Sequence, residues 1–594
     1  MLFLSGLPEM RDSTEEAVPA HQDHSLQKTA EGGFMKNGML VLLLMAAIFL
    51  KGSTTDAQPP DFLWAARGGG AGLDLGRSIA TDDSGNIIVT GEFSSTAATF
   101  GDTTLTCGGD WCMFIVKYDE VGDFLWAVGA DATDDVIGRG IAADDSGNVI
   151  VIGSFEDTAT VGDTTLITPG DDDIFIAKYD RYGHFVWAAQ AGGEDYDHGN
   201  SIATDDSGNV IVAGEFWSTA ATFGDTTLIN AGGCDIFIAK YDKYGHFVWA
   251  VQAGGASSDY GWDIDTDPSG NIVVTGRFAG SATFGDTTLF AAGARDMFVA
   301  KYDTAGTFLW AARAGGTGLT EGHGIAADGS GNSIVTGEFS NTATFGDSTL
   351  VAAGIQEDIF IAKYDSAGDF LWVAQAGGTG SDLGFDIATD DSGNGILTGY
   401  FSSTPATFGD TTLTSVGNWD IFIAKYDAAG GFFWVAQAGG IYGDFGQGIA
   451  TDGSGNSFAT GSFTSAPATF GDTTLTSAGE YDIFVAKLGV GVTGIEGEFI
   501  QPRSLELLQN HPNPFNHATS LRFWVADLGM VSLKVYDISG REIRTLVSEQ
   551  KQPGTHAVLW DGRSDGGLEV PSGVYFSKLQ AGSFVQTRKM LLLR

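Results

Sequence analysis

Apolar runs in this chain are short and rich in β-branched and aromatic residues, and clusters of Asp, Ser, Gly and Asn punctuate them. That is the pattern of strands joined by tight turns. One stretch shows it in full. Ser201-Ile-Ala203 leads through the turn Asp205-Asp-Ser-Gly-Asn209 into Val210-Ile-Val-Ala-Gly-Glu-Phe216, and a polar insert containing Phe223-Gly-Asp-Thr-Thr-Leu228 follows. Next come Asp235-Ile-Phe-Ile-Ala-Lys-Tyr241, a turn ending at Gly245, and a bulky run through Phe247 and Trp249. The pattern predicts four principal strands per unit, the first small-residued and short, the fourth carrying Phe and Trp.

The unit recurs. Trp64, Trp126, Trp187, Trp249, Trp310, Trp372 and Trp434 follow one another at spacings of 62, 61, 62, 61, 62 and 62 residues. The Asp-x-Ser-Gly-Asn type of turn begins at Asp82, Asp144, Asp205, Asp267, Asp328, Asp390 and Asp452. A period in this range marks a repeat architecture, and seven four-stranded units suit a β-propeller. An open solenoid needs capping ends. Here the region opens on an isolated fourth strand at 61–66 and closes on an isolated third strand at 482–488. Pairing the two completes a blade and removes two exposed edges. These units resemble the bacterial β-propeller repeat family called SBBP, a resemblance that implies an architecture and no particular reaction.

The last 90 or so residues differ in pattern. Leu508-Gln-Asn-His-Pro-Asn-Pro-Phe-Asn516 precedes alternating segments around Leu521-Arg-Phe-Trp-Val525, Val535-Tyr-Asp537, Trp560-Asp-Gly562 and Ser572-Gly-Val-Tyr575, with Arg588-Lys-Met-Leu-Leu-Leu-Arg594 at the end. Period-two alternation with short turns predicts a small antiparallel sandwich. The motif order is similar to type IX secretion C-terminal sorting domains and to the Ig-like domain of flagellar hook-capping proteins; His511 and His517 depart from the Tyr and Pro usual there. The fold class expected is therefore all-β, a seven-bladed β-propeller over 60–489, a linker over 490–505 and an Ig-like sorting domain over 506–594.

Charge and the N-terminus place the chain. Residues 61–504 carry 16 Lys and Arg against 60 Asp and Glu, while 505–594 carry 10 against 8. So acidic a repeat region excludes nucleic acid as a partner and favours cations or basic surfaces. Apolar residues 39–50, preceded by Lys36, are too few for a membrane span and suit a signal peptide over 35–57. Residues 1–34 then read as an upstream extension with translation starting at Met35, or as a cytoplasmic segment ahead of an uncleaved anchor. The mature chain is expected outside the cell, without a transmembrane span. Its expected partners are secretion machinery acting on the C-terminal domain and an extracellular protein or glycan. Three cysteines make no disulfide framework; Cys107 and Cys112 are near enough to pair, or all three are small buried thiols.

Candidate chemistry is sparse. Gly562-Arg-Ser564-Asp-Gly566 spells a nucleophile elbow but follows Trp560 in a polar loop without the required strand–helix context. His184 and His246 occupy equivalent turns. The better candidate is a carboxylate series: Asp74, Asp197, Asp259, Asp382 and Asp444 stand ten residues after a repeat tryptophan, and Asp135 and Glu321 lie one residue off that spacing. Gathered at one mouth of the channel, they would form a ring for Ca²⁺ or a cationic partner; the alternative is that they only make the turn. The recurring Lys117, Lys178, Lys240, Lys301, Lys363, Lys425 and Lys487 are expected to pair with a nearby Asp on the surface. With no asymmetric catalytic cluster in view, a binding, adhesion or structural protein is expected, without a certain cofactor. The alternative is an extracellular polysaccharide hydrolase or lyase, whose site would break the symmetry near residues 131–135 or 194–198.

Overall fold

The computed structural model describes residues 59–464, 467–489, 506–507, 515, 519–525, 529–551, 554–581 and 584–593. The proposed extension, signal peptide and linker lie outside them. The described elements are all strands, and among them no helix is long and apolar enough to cross a membrane. The chain forms two units, 1–491 and 492–594.

In the first unit, seven sets of four antiparallel strands succeed one another. In one of them Asp197–Thr204, Val210–Phe216, Asp235–Tyr241 and Phe247–Ala253 lie side by side, from the inner strand to the outer. The inner strands neighbour one another in chain order, and Asp74–Thr81 sits beside both Val136–Ala143 and Asp444–Thr451, so they form a closed ring. Threonine hydroxyls stitch it: Thr204 donates to the Ala143 carbonyl (3.0 Å), Thr266 to Thr204 (3.0 Å), and Thr81 to Thr451 (2.8 Å). Closure follows the isolated strands of the sequence. Asp61–Gly68 pairs antiparallel with Asp482–Gly489, Phe62 opposite Leu488 and Gly68 opposite Ile483.

Second and third strands are buried at nearly every residue because blades cover both their faces. This is why Val-Ile-Val and Ile-Phe-Ile read as continuous apolar runs rather than alternations. The repeat tryptophan joins blades. Trp126 of one outer strand packs over Gly183 in the next blade's turn, and its Nε1 donates to Arg181 O (3.1 Å). Trp187, Trp249, Trp310 and Trp372 donate in the same way to Lys243, Thr304, Ser366 and Ala428. A Cβ at Gly183 would lie 3.0 Å from the indole, and its φ of +85° suits glycine as well.

The sequence reading missed two features. The polar insert is itself a hairpin, Ala220–Phe223 with Thr226–Ile229, which buries Ala221 and Phe223 against Phe237. The inner strand also runs longer than three residues, starting at the aspartate, and carries a bulge at Asn200 between Gly199 and Ser201. Cys107 and Cys112 form a disulfide, and Cys234 is free and buried.

The second unit is a sandwich of two sheets. One joins Glu506–Leu507, Thr519–Val525 and Gly554–Trp560; the other joins Glu542–Lys551, Gly529–Asp537, Gly573–Ala581 and Phe584–Leu592. Its core contains Phe523, Leu533, Val535, Trp560, Tyr575 and Leu579. Tyr575 donates its hydroxyl to Pro571 O (2.8 Å), and Asp537 Oδ1 accepts from the amides of Ser539 and Arg541, fixing the Val-Tyr-Asp-x-x-Gly turn.

Candidate functional site

Five of the seven carboxylates expected at a channel mouth are buried at blade junctions instead. Asp74, Asp197, Asp259, Asp382 and Asp444 are fully buried, each at its own junction between blades. Strand register makes Val136 and Thr320 their counterparts in the other two blades, because each faces the Phe that ends its second strand. Asp135 and Glu321 are thus one residue out of step, and the seven do not form one cation ring.

Each buried aspartate meets a second one, the first residue of the preceding blade's third strand. The pairs are Asp74 with Asp482, Asp197 with Asp173, Asp259 with Asp235, Asp382 with Asp358, and Asp444 with Asp420. Both carboxylates crowd one glycine: a Cβ on Gly192 would lie 2.2 Å from Asp173 Oδ1 and 3.0 Å from Asp197 Oδ2. One member of a pair is well bonded. Asp197 Oδ2 accepts from Ser218 Oγ (2.7 Å) and its Oδ1 from the amides of Trp217 and Ser218. The other keeps a buried oxygen without a hydrogen-bond partner, Oδ1 of Asp173, Asp235, Asp358, Asp420 and Asp482, and so do Asp74 at Oδ1 and Asp259 at Oδ2. Burial, with the neighbouring carboxylate adding to it, pushes Asp173 and Asp259 up to about 7 and Asp358 to about 6. The pairs order the turns between blades around that glycine.

The repeated lysines are not on the surface either. Lys117 and Lys301 are 1% exposed and meet Asp82 (2.7 Å) and Asp267 (2.8 Å) of the hairpin turns; Lys178, Lys240, Lys363 and Lys425 do the same. Lys301 Nζ also donates to Gly331 O in the next blade (2.9 Å). Asp82 in turn accepts from Ser84 and Asn86. Although its burial works the other way, the bonds to Lys117 and Asn86 hold its carboxyl below the ordinary range.

What does break the repeat is the end of the ring where inner strands begin, second strands end and third strands start. Four positions per unit vary there. After the aspartate come Leu75, Ile137, His198, Tyr260, Glu321, Leu383 and Phe445; at the bulge stand Arg77, Arg139, Asn200, Trp262, His323, Phe385 and Gln447. The penultimate residue of the second strand and the residue before the third vary as well, giving Glu92, Glu215, Arg277, Glu338 and Tyr400, then Asp172, Arg295, Trp419 and Tyr481. A bulge commonly re-aims a side chain in this way.

These residues divide into two halves. In the first, Arg77 Nε bonds Glu92 Oε1 (2.8 Å), and His198 sits between Glu215 Oε1 and Asp172 Oδ2 (both 3.1 Å). Burial alone would lower the His198 pKa, but those two acceptors outweigh it and raise it. Arg139 lies nearby with its Nε buried and without a partner, and burial lowers its pKa. In the second half, rings follow one another from Trp217 through Tyr260 (6.4 Å), Trp262 (6.1 Å), His323 (4.4 Å, parallel) and Phe385 (5.4 Å) to Tyr400 (5.5 Å). Phe445 continues the arc at 5.0 Å and touches Trp419 and Tyr481. Arg277 lies over Tyr260 and Trp262.

Deeper in the ring, Asp263 Oδ1 accepts from Ser201 Oγ and its Oδ2 from Ile325 N (both 2.6 Å), while Asp386 Oδ2 accepts from Ile449 N (2.8 Å). Burial raises both, Asp386 to about 7, and Asp386 adds to the rise at Asp263.

Two groups of side chains have ligand atoms within 4.8 Å of one another, as a metal requires: Glu321, His323 and Glu338, and Asp134, Asp135 and Glu156. Glu321 is already held by Arg277 and Arg295 (2.8 Å each), so two guanidiniums repel a cation there. The second group is half-buried and contains the sequence candidate Asp135. Neither Ser564, in a turn closed by Gly567 N to Ser564 O (2.8 Å), nor the exposed His184 and His246 enters a catalytic arrangement.

Residues 434–464 match the β-propeller repeat model and 525–583 the FlgD Ig-like domain model. The chain is 27% identical over 542 aligned positions to an uncharacterized WD repeat-containing protein, L264, of Acanthamoeba polyphaga mimivirus, covering 74% of this chain and 39% of that one. Among solved structures it is similar to PorZ, a surface component of the type-IX secretion system of Porphyromonas gingivalis, at TM-score 0.24 and 12% identity, covering 91% and 88% of the two chains. It is also similar to a family 43 arabinoxylan arabinofuranohydrolase of Bacillus subtilis at TM-score 0.26 and 10% identity, covering 77% and 96%.

Proposed function

We propose that the protein is a secreted or surface-displayed bacterial β-propeller that works by binding, as an adhesion or structural module, and that its C-terminal sandwich directs export. One observation carries the binding reading: framework positions repeat from blade to blade, whereas the channel-end positions differ, and a repeat that only had to fold would have no need of that difference. The FlgD Ig-like match over 525–583 supports the export half, as does the order of C-terminal motifs. Secretion machinery is then the partner of the sandwich, and the propeller is its cargo.

The test is cell fractionation with surface proteolysis. The full chain is expected to be digested on intact cells, and a version ending at residue 490 to stay protected inside the envelope. Equal digestion of both would remove the export half of the reading.

A further inference from the structure

We propose that the aromatic arc at the channel end is a seat for a neutral polysaccharide, a ligand class that deepens the binding reading above and rests on it. Pyranose rings present a face of C–H bonds carrying partial positive charge, and aromatic faces carry the complementary negative charge. Indoles and phenols add a hydrogen-bonding edge beside that face. The arc supplies both along a curve that runs from Trp217 to Tyr481.

The indoles of the molecule show a division of labour. Five repeat tryptophans spend their N–H on a carbonyl of the next blade. Among the described residues, the indole N–H groups of Trp217, Trp262 and Trp419 have no such acceptor, as is also true of the repeat tryptophan Trp64, but that N–H is buried whereas Trp217 and Trp419 are 38% and 36% exposed. They remain available to a ligand's hydroxyls.

Charge selects the class. The repeat region is strongly acidic, which repels polyuronates and nucleic acid. Within the arc, the carboxylate of Glu321 is already held by both Arg277 and Arg295, so it offers no free charge to a basic peptide. A neutral chain of hydroxyls meets neither penalty.

The experiment is affinity electrophoresis of the purified full chain through gels containing laminarin, xylan, mannan or dextran, with polygalacturonate and a plain gel in parallel. At least one neutral polymer should retard it. Trp262→Ala, and separately Trp217→Ala with Trp419→Ala, should weaken that retardation about tenfold or more, with Trp262→Phe close to the parent and melting curves superimposed. Tyr182→Ala with Tyr244→Ala, at exposed turns on the opposite end of the third strands, should change nothing. The proposal is overturned if no neutral polymer retards the chain, if only polygalacturonate does, or if well-folded arc variants migrate like the parent. Because the assay uses purified protein, a failure of export leaves its outcome untouched.

Discussion

The blade junctions and the channel end are built from the same strands a few residues apart, yet they obey opposite rules. At five junctions two buried aspartates meet in the same way, and at six turns a buried lysine meets the hairpin aspartate. One residue further along the inner strand, the same register carries Leu75, His198, Tyr260, Glu321 or Phe445. Buried charges admit few alternatives, because an unpaired one costs several kcal/mol, so most copies keep the same solution and the two exceptions carry the uncharged Val136 and Thr320. The channel end mixes exposed rings such as Trp217 and Trp419 with buried carboxylates at Glu92, Glu215 and Glu321 that each find a different partner, and that difference from copy to copy is where recognition can reside.

The largest expected effect tests the framework itself. Removing residues 58–67 deletes the strand that pairs with Asp482–Gly489 and takes Trp64 from its place over Gly122. Trp64→Ala alone should cost about 3–5 kcal/mol, and the deletion more, read as a drop in Tm in calorimetry. An unchanged melting curve would refute closure through this strand.

Next in size is a single ion pair. Lys301→Met leaves the Asp267 carboxylate buried without its cation and should cost about 3–5 kcal/mol in chemical denaturation. Adding Asp267→Asn should restore part of it. If the double variant is no more stable than the single one, the pair is not coupled.

The junction acids predict a smaller, pH-dependent term. Their folded pKa values are raised, so the stability they give is complete below the ordinary aspartate range and is lost as pH rises through about 6–7. The turn aspartates have lowered values and act oppositely, losing their contribution only in strong acid. Tm is therefore expected to fall between pH 5 and pH 8, by the equivalent of about 1–3 kcal/mol. Asp173→Asn with Asp259→Asn should flatten that slope; a slope identical to the parent's would place its origin elsewhere.

The smallest effect concerns calcium. With the five aspartates buried in pairs, each pair at its own blade junction, adding calcium to about 1 mM, the range of extracellular calcium modules, should shift Tm by less than about 1 °C. A larger rise that disappears in Asp74→Asn, Asp259→Asn, Asp444→Asn would restore the cation reading of the sequence.

The chain's own pattern was enough for the all-β class, the repeated four-strand unit, the Asp-x-Ser-Gly-Asn turns, the closing pair at 61–68 and 482–489, and the C-terminal sandwich. All of these rest on local periodicity and on counting strands, which a sequence displays directly. It also contained the channel-end signal, as positions that vary inside an otherwise regular repeat, but periodicity draws the eye to what recurs. The recurring aspartates therefore stand out in the sequence where the varying positions do not.

Only tertiary structure decided that those aspartates are buried in pairs, since each partner lies in a neighbouring blade, about 20–25 residues away for most pairs and across the whole ring for Asp74 and Asp482. It likewise placed Trp262 of one blade flat on His323 of the next, 61 residues later, and carried the arc on to Tyr481. The bulge that turns Arg139, Trp262 and Phe385 into the channel end is a matter of register between strands. Register and ring closure are set by packing between blades, and no stretch of one blade's sequence contains them.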